Sequence, residues 1–168
     1  MLLETPVKDE IKMLKAGDIV HLTGEIITAR DMAHRRLVEE GVSLPVNFNV
    51  IYHCGPLVKK ENGWKMISCG PTTSSRMDRY TGAMVERFGV KIFIGKGGMG
   101  EESRRIFQEN KCAYLAFTGG AGVLAARSIS IKDVHWLDMG IPEAVWVLEA
   151  ANFGPLVVGI DSKGNSLY

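Results

Sequence analysis

The chain has 168 residues, 46% hydrophobic and 23% charged, which is the balance of an ordinary globular domain. Its formal net charge is +1, so there is no basic excess to neutralise phosphates, and we do not expect a nucleic-acid partner. No apolar run reaches the roughly 20 residues that cross a bilayer, and the acidic start lacks a signal core, so we expect a cytoplasmic protein that does not bind membranes.

The first 16 residues are expected to form an N-terminal arm, ahead of a single domain over residues 17–168. Pro6 and scattered charges precede Ile11, Met13 and Leu14. Such a segment either packs on a partner or frays, and the sequence leaves both options open.

Strands and helices alternate along the rest of the chain. The spacing of apolar residues and of Gly and Pro predicts strands at 18–29, 49–56, 64–71, 90–95 and 112–120, and helices at 29–41, 75–89, 101–110 and 121–129. Residues 134–139 and 144–161 are expected as closing strands, with a hairpin as one option for the last pair. This order predicts an α/β fold with a mixed, partly parallel sheet.

Three predicted strand-to-helix junctions each carry a cation: Arg30, Arg76 and Lys96. Ligands of open α/β sheets bind beyond the carboxyl ends of the strands, where helix N-termini also favour anions. If the junctions converge, they form a compact anion site suited to a small dicarboxylate, because arginine binds a carboxylate through two hydrogen bonds. The alternative is that each cation is a solvated charge in the first turn of a helix.

Four hydroxyl residues in a row precede Arg76, at positions 72–75. One hydroxyl is enough to cap a helix, so the run favours hydroxyls arranged around a ligand. The alternative is a capping loop with additional polar residues.

Nucleotide and metal sites are weakly supported. Lys96 is followed by Gly97, whereas a P-loop requires Ser or Thr after the lysine. The cysteines form no C-x-x-C group, so we expect them to be buried small hydrophobes and not ligands of an iron–sulfur cluster; they are Cys54, Cys69 and Cys112. The histidines lack the spacing of a zinc site; they are His21, His34, His53 and His135.

Six segments together carry a family resemblance, and they follow one another in order from about residue 17 to the end. They are GDIVHLTGEIITARDMAHRR, IYHCGP, SCGPTTSSRMDRY, IGKGGM, FTGGAG and DMGIPEAVWVLE. The sequence resembles class I fumarate hydratase, in its C-terminal region or in the separate beta subunit of two-chain forms, which include L(+)-tartrate dehydratase.

The resemblance implies a swivelling β/β/α domain. It also implies the reversible hydration of fumarate to L-malate, a reaction of the tricarboxylic acid cycle, with L(+)-tartrate dehydration as the alternative. The cofactor would be a 4Fe–4S cluster bound by a larger alpha-type partner subunit and not by this chain, in an assembly such as a heterotetramer. An alternative of another class is a non-catalytic module that binds carboxylates or supports assembly.

The same resemblance assigns roles to five residues. Substrate contacts would come from Arg30, Thr73, Arg76 and Lys96. Thr72 would lie beside the carbon that gains or loses a proton, so the catalytic set would be Thr72, Arg76 and Lys96.

Overall fold

The computed structural model describes residues 1–168 and shows a mixed sheet whose strands pair around a closed ring. The sheet strands are β1 (Leu2–Glu4), β2 (Ile19–Thr28), β3 (Val50–Tyr52), β6 (Ile92–Gly95), β7 (Ala113–Ala116), β8 (Ile129–His135) and β9 (Val145–Ile160). Neighbouring strands follow the order β1-β2-β3-β6-β7-β9-β8, and β9 also pairs with β2. The β1–β2, β2–β3, β3–β6 and β6–β7 pairs are parallel, whereas β9 is antiparallel to β2, β7 and β8. The predicted α/β fold with a partly parallel sheet is confirmed.

Side chains alternate between two apolar cores on the two faces of this sheet. On β3, Tyr52 belongs to one core and Ile51 to the other; on β6, Ile94 and Phe93 divide in the same way. This is the period of two that a strand imposes on its side chains. The short parallel strands β3, β6 and β7 are therefore buried on both faces, which explains why they are almost wholly apolar.

Four helices connect the strands: α1 (Asp31–Val38), α2 (Thr81–Phe88), α3 (Glu101–Asn110) and α4 (Gly122–Arg127). Met84 of α2 and Phe107 of α3 are fully buried in one core, whereas Ala125 of α4 belongs to the other. Gly89 ends α2 with a φ of 67°, a left-handed conformation that glycine adopts without strain. No helix is both long and apolar enough to cross a membrane.

The N-terminal segment, expected as an arm, packs on this chain's own core. β1 pairs in parallel with β2, and Asp9–Met13 form a 3-10 helix. Four of its apolar residues are buried in the core: Leu3, Val7, Ile11 and Leu14. The segment is therefore not frayed in the structure, because these four positions recur every three or four residues and face the sheet. Packing on a partner stays a prediction.

Three predicted elements differ from the structure. Residues 64–71 were expected as one strand; β5 covers Trp64–Ser68 and forms an antiparallel hairpin with β4 (Leu57–Lys60), which was not predicted. Helix 75–89 is a 3-10 helix over Ser74–Tyr80 followed by α2. The closing strands do form the antiparallel pair given as one option, β8 with β9, but β8 covers Ile129–His135, and Leu137–Met139 form a short 3-10 helix.

Candidate functional site

The carboxyl ends of four neighbouring parallel strands lie along one edge of the sheet. Arg30 follows β2 by two residues, His53 follows β3 and Lys96 follows β6. Phe117 follows β7, and its amide donates to the carbonyl of Gly95 at 2.7 Å. The predicted strand-to-helix junctions are therefore neighbours at the edge where α/β sheets place their ligands.

The segment Thr72–Ser74 is inserted between the ends of β3 and β6. The amide of Thr72 donates to the carbonyl of His53 at 2.7 Å, and the amide of Lys96 donates to the carbonyl of Thr72 at 3.1 Å. The amide of Ser74 in turn donates to the carbonyl of Lys96 at 3.0 Å. These bonds fix the backbone of both threonines beside Lys96.

The hydroxyls of this segment do not cap the helix that follows it. Thr73 is the N-cap residue of the 3-10 helix, but its side chain makes no capping hydrogen bond. The Ser74 hydroxyl is fully buried and shares a hydrogen bond of 2.9 Å with Nδ1 of His53. Because neither side chain is used as a cap, the alternative of a simple capping loop is not supported.

Arg30 lies in a half-buried position against Glu143. Arg30 Nε is 3.2 Å from Glu143 Oε1, and the other carboxylate oxygen of Glu143 accepts from the amide of Met32 at 3.0 Å. Glu143 therefore supplies the cap that α1 lacks, since the N-cap residue Arg30 has no side-chain capping bond. A Cβ on Gly55 would lie 2.5 Å from Arg30 Nη1, so only glycine leaves room for the guanidinium there.

Arg76 pairs with Asp31 in the first turn of α1. Its Nε donates to Asp31 Oδ1 at 3.3 Å, and its Nη2 donates to Asp31 Oδ2. The hydrogen bond to Asp31 raises the pKa of Arg76, and the charges of Asp31 and Glu143 add to that rise. Burial raises the pKa of Asp31, but the hydrogen bond and the charge of Arg76 outweigh it, and the net pKa is lowered. Both arginines thus lie beside a common pair of carboxylates.

Lys96 is exposed, and its side chain extends toward the loop that follows β7. A Cβ on Gly119 would lie 3.8 Å from Lys96 Cδ. Gly97 and Gly98, which follow the lysine, have φ values of 80° and 89°, so this turn depends on glycine. This turn separates Lys96 from the helix that begins at Glu101, so the lysine is not a residue of the helix's first turn.

Two buried histidines lie behind the threonine segment. His34 and His53 have ring centroids 5.3 Å apart, and Nδ1 of His34 donates to the carbonyl of Arg30 at 2.8 Å. Burial lowers the pKa of His34 to about 4. Burial also lowers the pKa of His53; a proton on His34 would act in the same direction, as does the charge of Arg76. Both rings are therefore neutral at pH 7, and neither Nε2 atom has a hydrogen-bond partner in the chain.

The cysteines divide between the two cores. Cys54 and Cys69 are buried with their Sγ atoms 3.4 Å apart, and burial raises the pKa of Cys54. Cys112 lies in the other core, where its thiol donates to the carbonyl of Val90 at 3.3 Å. No group of three or more His, Cys, Asp or Glu side chains is placed to hold a metal ion.

The structure thus gathers the predicted residues into two sets. Arg30 and Arg76 share their carboxylate partners, and Thr72, Thr73 and Lys96 share one backbone hydrogen-bond ladder. Sequence reasoning missed three neighbours of these residues, Asp31, Glu143 and His53, and included Ser74 only as one of the four hydroxyls at positions 72–75. Asp31 adjoins a predicted residue and was open to detection, whereas Glu143 is 111 residues beyond its partner Met32 and gave no local signal.

The whole chain, residues 1–168, matches the family described as Fumarase C-terminus. Among curated relatives, it is 42% identical to the L(+)-tartrate dehydratase subunit beta of Escherichia coli (strain K12), over 99% of this chain and 85% of the relative. It is 44% identical to a putative L(+)-tartrate dehydratase subunit beta of Methanocaldococcus jannaschii, over 96% of this chain and 87% of the relative. A putative fumarate hydratase class I of Geobacillus stearothermophilus is 41% identical over 99% of this chain, which spans 33% of that longer protein. The resemblance seen in the sequence is confirmed, and the chain belongs to the fumarase C-terminal family.

Proposed function

We propose that this chain is the beta subunit of a hydro-lyase that adds water to fumarate to give L-malate and catalyses the reverse reaction. L(+)-tartrate dehydration is the second candidate, favoured by the two relatives whose names describe tartrate dehydratase beta subunits, one of them putative, and of whose lengths this chain covers 85% and 87%. The observation that carries the proposal is the insertion of Thr72–Ser74 between the ends of β3 and β6, which brings two threonines beside Lys96.

The cations of the site suit a substrate with two carboxylates. Arg30 and Arg76 already lie against carboxylates of this chain, those of Glu143 and Asp31, so their head groups are oriented for that type of partner. One substrate carboxylate would bind the two guanidinium groups and replace part of their contact with Glu143 and Asp31. Lys96, which is exposed, would bind the second substrate carboxylate. In this proposal Thr73 contributes a further substrate contact.

Removing a proton from the carbon next to a carboxylate builds negative charge on that carboxylate. Cations held in place beforehand by the fold stabilise this charge without reorganising, and so lower the barrier. Arg76 and Lys96 fit this role. We assign the proton transfer to Thr72, whose backbone is fixed by His53 and Lys96. A threonine hydroxyl is a weak base alone, so an activating group must come from the partner subunit.

The residues of this chain do not fit a 4Fe–4S cluster. Such clusters are usually held by several cysteine thiolates, whereas here only Cys54 and Cys69 lie together and both are buried in the apolar core. We therefore propose that a larger alpha-type subunit holds the cluster. We also propose that the two kinds of subunit form a higher oligomer, such as a heterotetramer.

Reconstitution tests the proposal. The purified chain, its cluster-loaded partner and an anaerobic mixture of the two are assayed by fumarate absorbance, and in parallel with L(+)-tartrate. We expect turnover only in the mixture. Substantial turnover by this chain alone would contradict the shared site. A cluster-loaded, assembled mixture that converts neither substrate would instead favour the non-catalytic carboxylate-binding or assembly module.

A further inference from the structure

We infer that His53 and Ser74 are positioning residues for the proposed proton transfer, because together they fix the backbone of Thr72 and Thr73. This inference rests on the proposed function. Neither side chain is exposed, so neither is assigned a contact with substrate.

His53 holds the inserted segment at two points. Its carbonyl accepts from the amide of Thr72 at 2.7 Å, and its Nδ1 shares a hydrogen bond of 2.9 Å with the Ser74 hydroxyl. One contact lies at each end of Thr72–Ser74: the backbone of His53 holds Thr72, and the ring holds Ser74. Loss of the ring contact would free the Ser74 end of the segment. The Ser74 amide, bonded to the carbonyl of Lys96 at 3.0 Å, ties the same segment to the strand on the other side.

The surroundings leave the His53 ring and the Ser74 hydroxyl little freedom. The ring lies between His34 and Phe93, with centroid distances of 5.3 Å and 5.8 Å. A Cβ on Gly95 would lie 1.9 Å from Ser74 Oγ, so the hydroxyl occupies space that only glycine leaves open. The contact is therefore built into the packing of the core.

The polarity of His53 also needs a reason. Its Nε2 is buried without a hydrogen-bond partner in the chain, which is an unfavourable state for a polar atom. An apolar side chain of similar size would avoid that cost. An apolar side chain could not form the hydrogen bond to Ser74. We therefore attribute the need for a histidine at position 53 to that hydrogen bond.

The first test is Ser74→Ala in the assembled enzyme. This change removes one oxygen and leaves the backbone bonds of Thr72 and Lys96 possible. We expect kcat to fall about tenfold or more, because small displacements of reacting groups are costly, while KM stays within about twofold. A wild-type kcat would overturn the inference.

Two substitutions of His53 separate positioning from packing. Asn can place a polar atom near the position of Nδ1, whereas Leu fills the space but cannot bond to Ser74. We expect His53→Asn to retain a higher kcat than His53→Leu. If His53 only fills the core, the order is reversed, because Leu leaves the smaller cavity. The reversed order would refute the positioning role.

Controls distinguish this inference from the proposed function and from misfolding. Ser103 is equally buried, and its hydroxyl donates to Asp78 Oδ1 at 2.7 Å, so Ser103→Ala is a matched change that should leave kcat unaltered. In the isolated chain, the amides of residues 72 and 74 should exchange their hydrogens about tenfold faster in Ser74→Ala than in the wild type. Unchanged exchange would contradict the inference without kinetics. An inactive wild-type complex would count against the proposed function alone.

Discussion

Asp31 accepts hydrogen bonds from both Nε and Nη2 of Arg76, so one edge of the guanidinium is already occupied by a carboxylate of its own chain. This geometry orients the arginine, since a two-point contact fixes the plane of the guanidinium. It also means that the net gain from binding a substrate carboxylate is the difference between two similar contacts. The site is therefore better suited to favouring the increased charge of the transition state than to tight ground-state binding.

Replacing Arg76 should impair turnover more than folding. The side chain is 44% exposed, so Arg76→Gln leaves the core intact but removes a charge-assisted hydrogen bond. Such bonds contribute about 1.5–3 kcal/mol, and we expect kcat/KM to fall roughly tenfold to a hundredfold. Steady-state kinetics of the assembled enzyme provide the measurement.

Arg105 supplies the matched control for this change. It is also an exposed arginine, and it pairs with Glu102 and Glu109 on α3, away from the strand ends. Arg105→Gln should leave the kinetics unaltered. If both variants had wild-type kinetics, Arg76 would not belong to the site.

The buried histidines should make the fold sensitive to acid. The folded-state pKa of His34 is about 4, below its ordinary value of 6.5, so the unfolded chain binds a proton that the folded chain excludes. The free energy of unfolding is then fully present above about pH 6.5 and falls as the pH drops toward 4; His34 alone accounts for about 2 kcal/mol at pH 5. His53 acts in the same direction.

Urea denaturation at pH 7.5 and pH 5 measures this effect. His34→Gln removes one titrating group, so the variant should lose less stability between the two pH values than the wild type does. An equal loss in both proteins would show that His34 does not titrate as its burial requires.

Replacing all three cysteines with alanine should leave the cluster content of the assembled enzyme unchanged. Cys54 and Cys69 face one core, and Cys112 faces the other, so the three thiols cannot reach one metal ion. Iron and acid-labile sulfide are measured per assembled complex. Iron loss caused by one replacement, with the fold intact, would overturn the assignment of the cluster to the partner.

The N-terminal segment should contribute to stability. Ile11 is 2% exposed and packs in the core, so Ile11→Ala should lower the free energy of unfolding by about 2–5 kcal/mol. Met13, two residues further, is 64% exposed, and Met13→Ala should change the free energy of unfolding by less than about 0.5 kcal/mol. Chemical denaturation of the two variants compares them directly. Equal effects would mean that the segment is not part of the core in solution.

The sequence predicted the parallel strands and their junctions because buried strands and the glycines after them leave a strong local pattern. It did not predict the β4–β5 hairpin, because Leu57–Lys60 is a short, largely exposed strand without such a pattern. The N-terminal core residues were visible in principle as the spacing 3, 7, 11 and 14, but Pro6 and the charges between them obscured it. The contact between Arg30 and Glu143 depends on where β9 lies in the sheet, and no local sequence pattern predicts that position.

Strand β9 is also the last part of the sheet to be synthesised. Its pairing with β2 joins residues as far apart as Ile19 and Val157, and through β7 it closes the ring. Until residues 145–160 leave the ribosome, β2 has an unpaired edge and much of the core remains open to solvent. Closing the ring therefore requires pairing between segments far apart in the sequence, which is the type of topology that folds slowly.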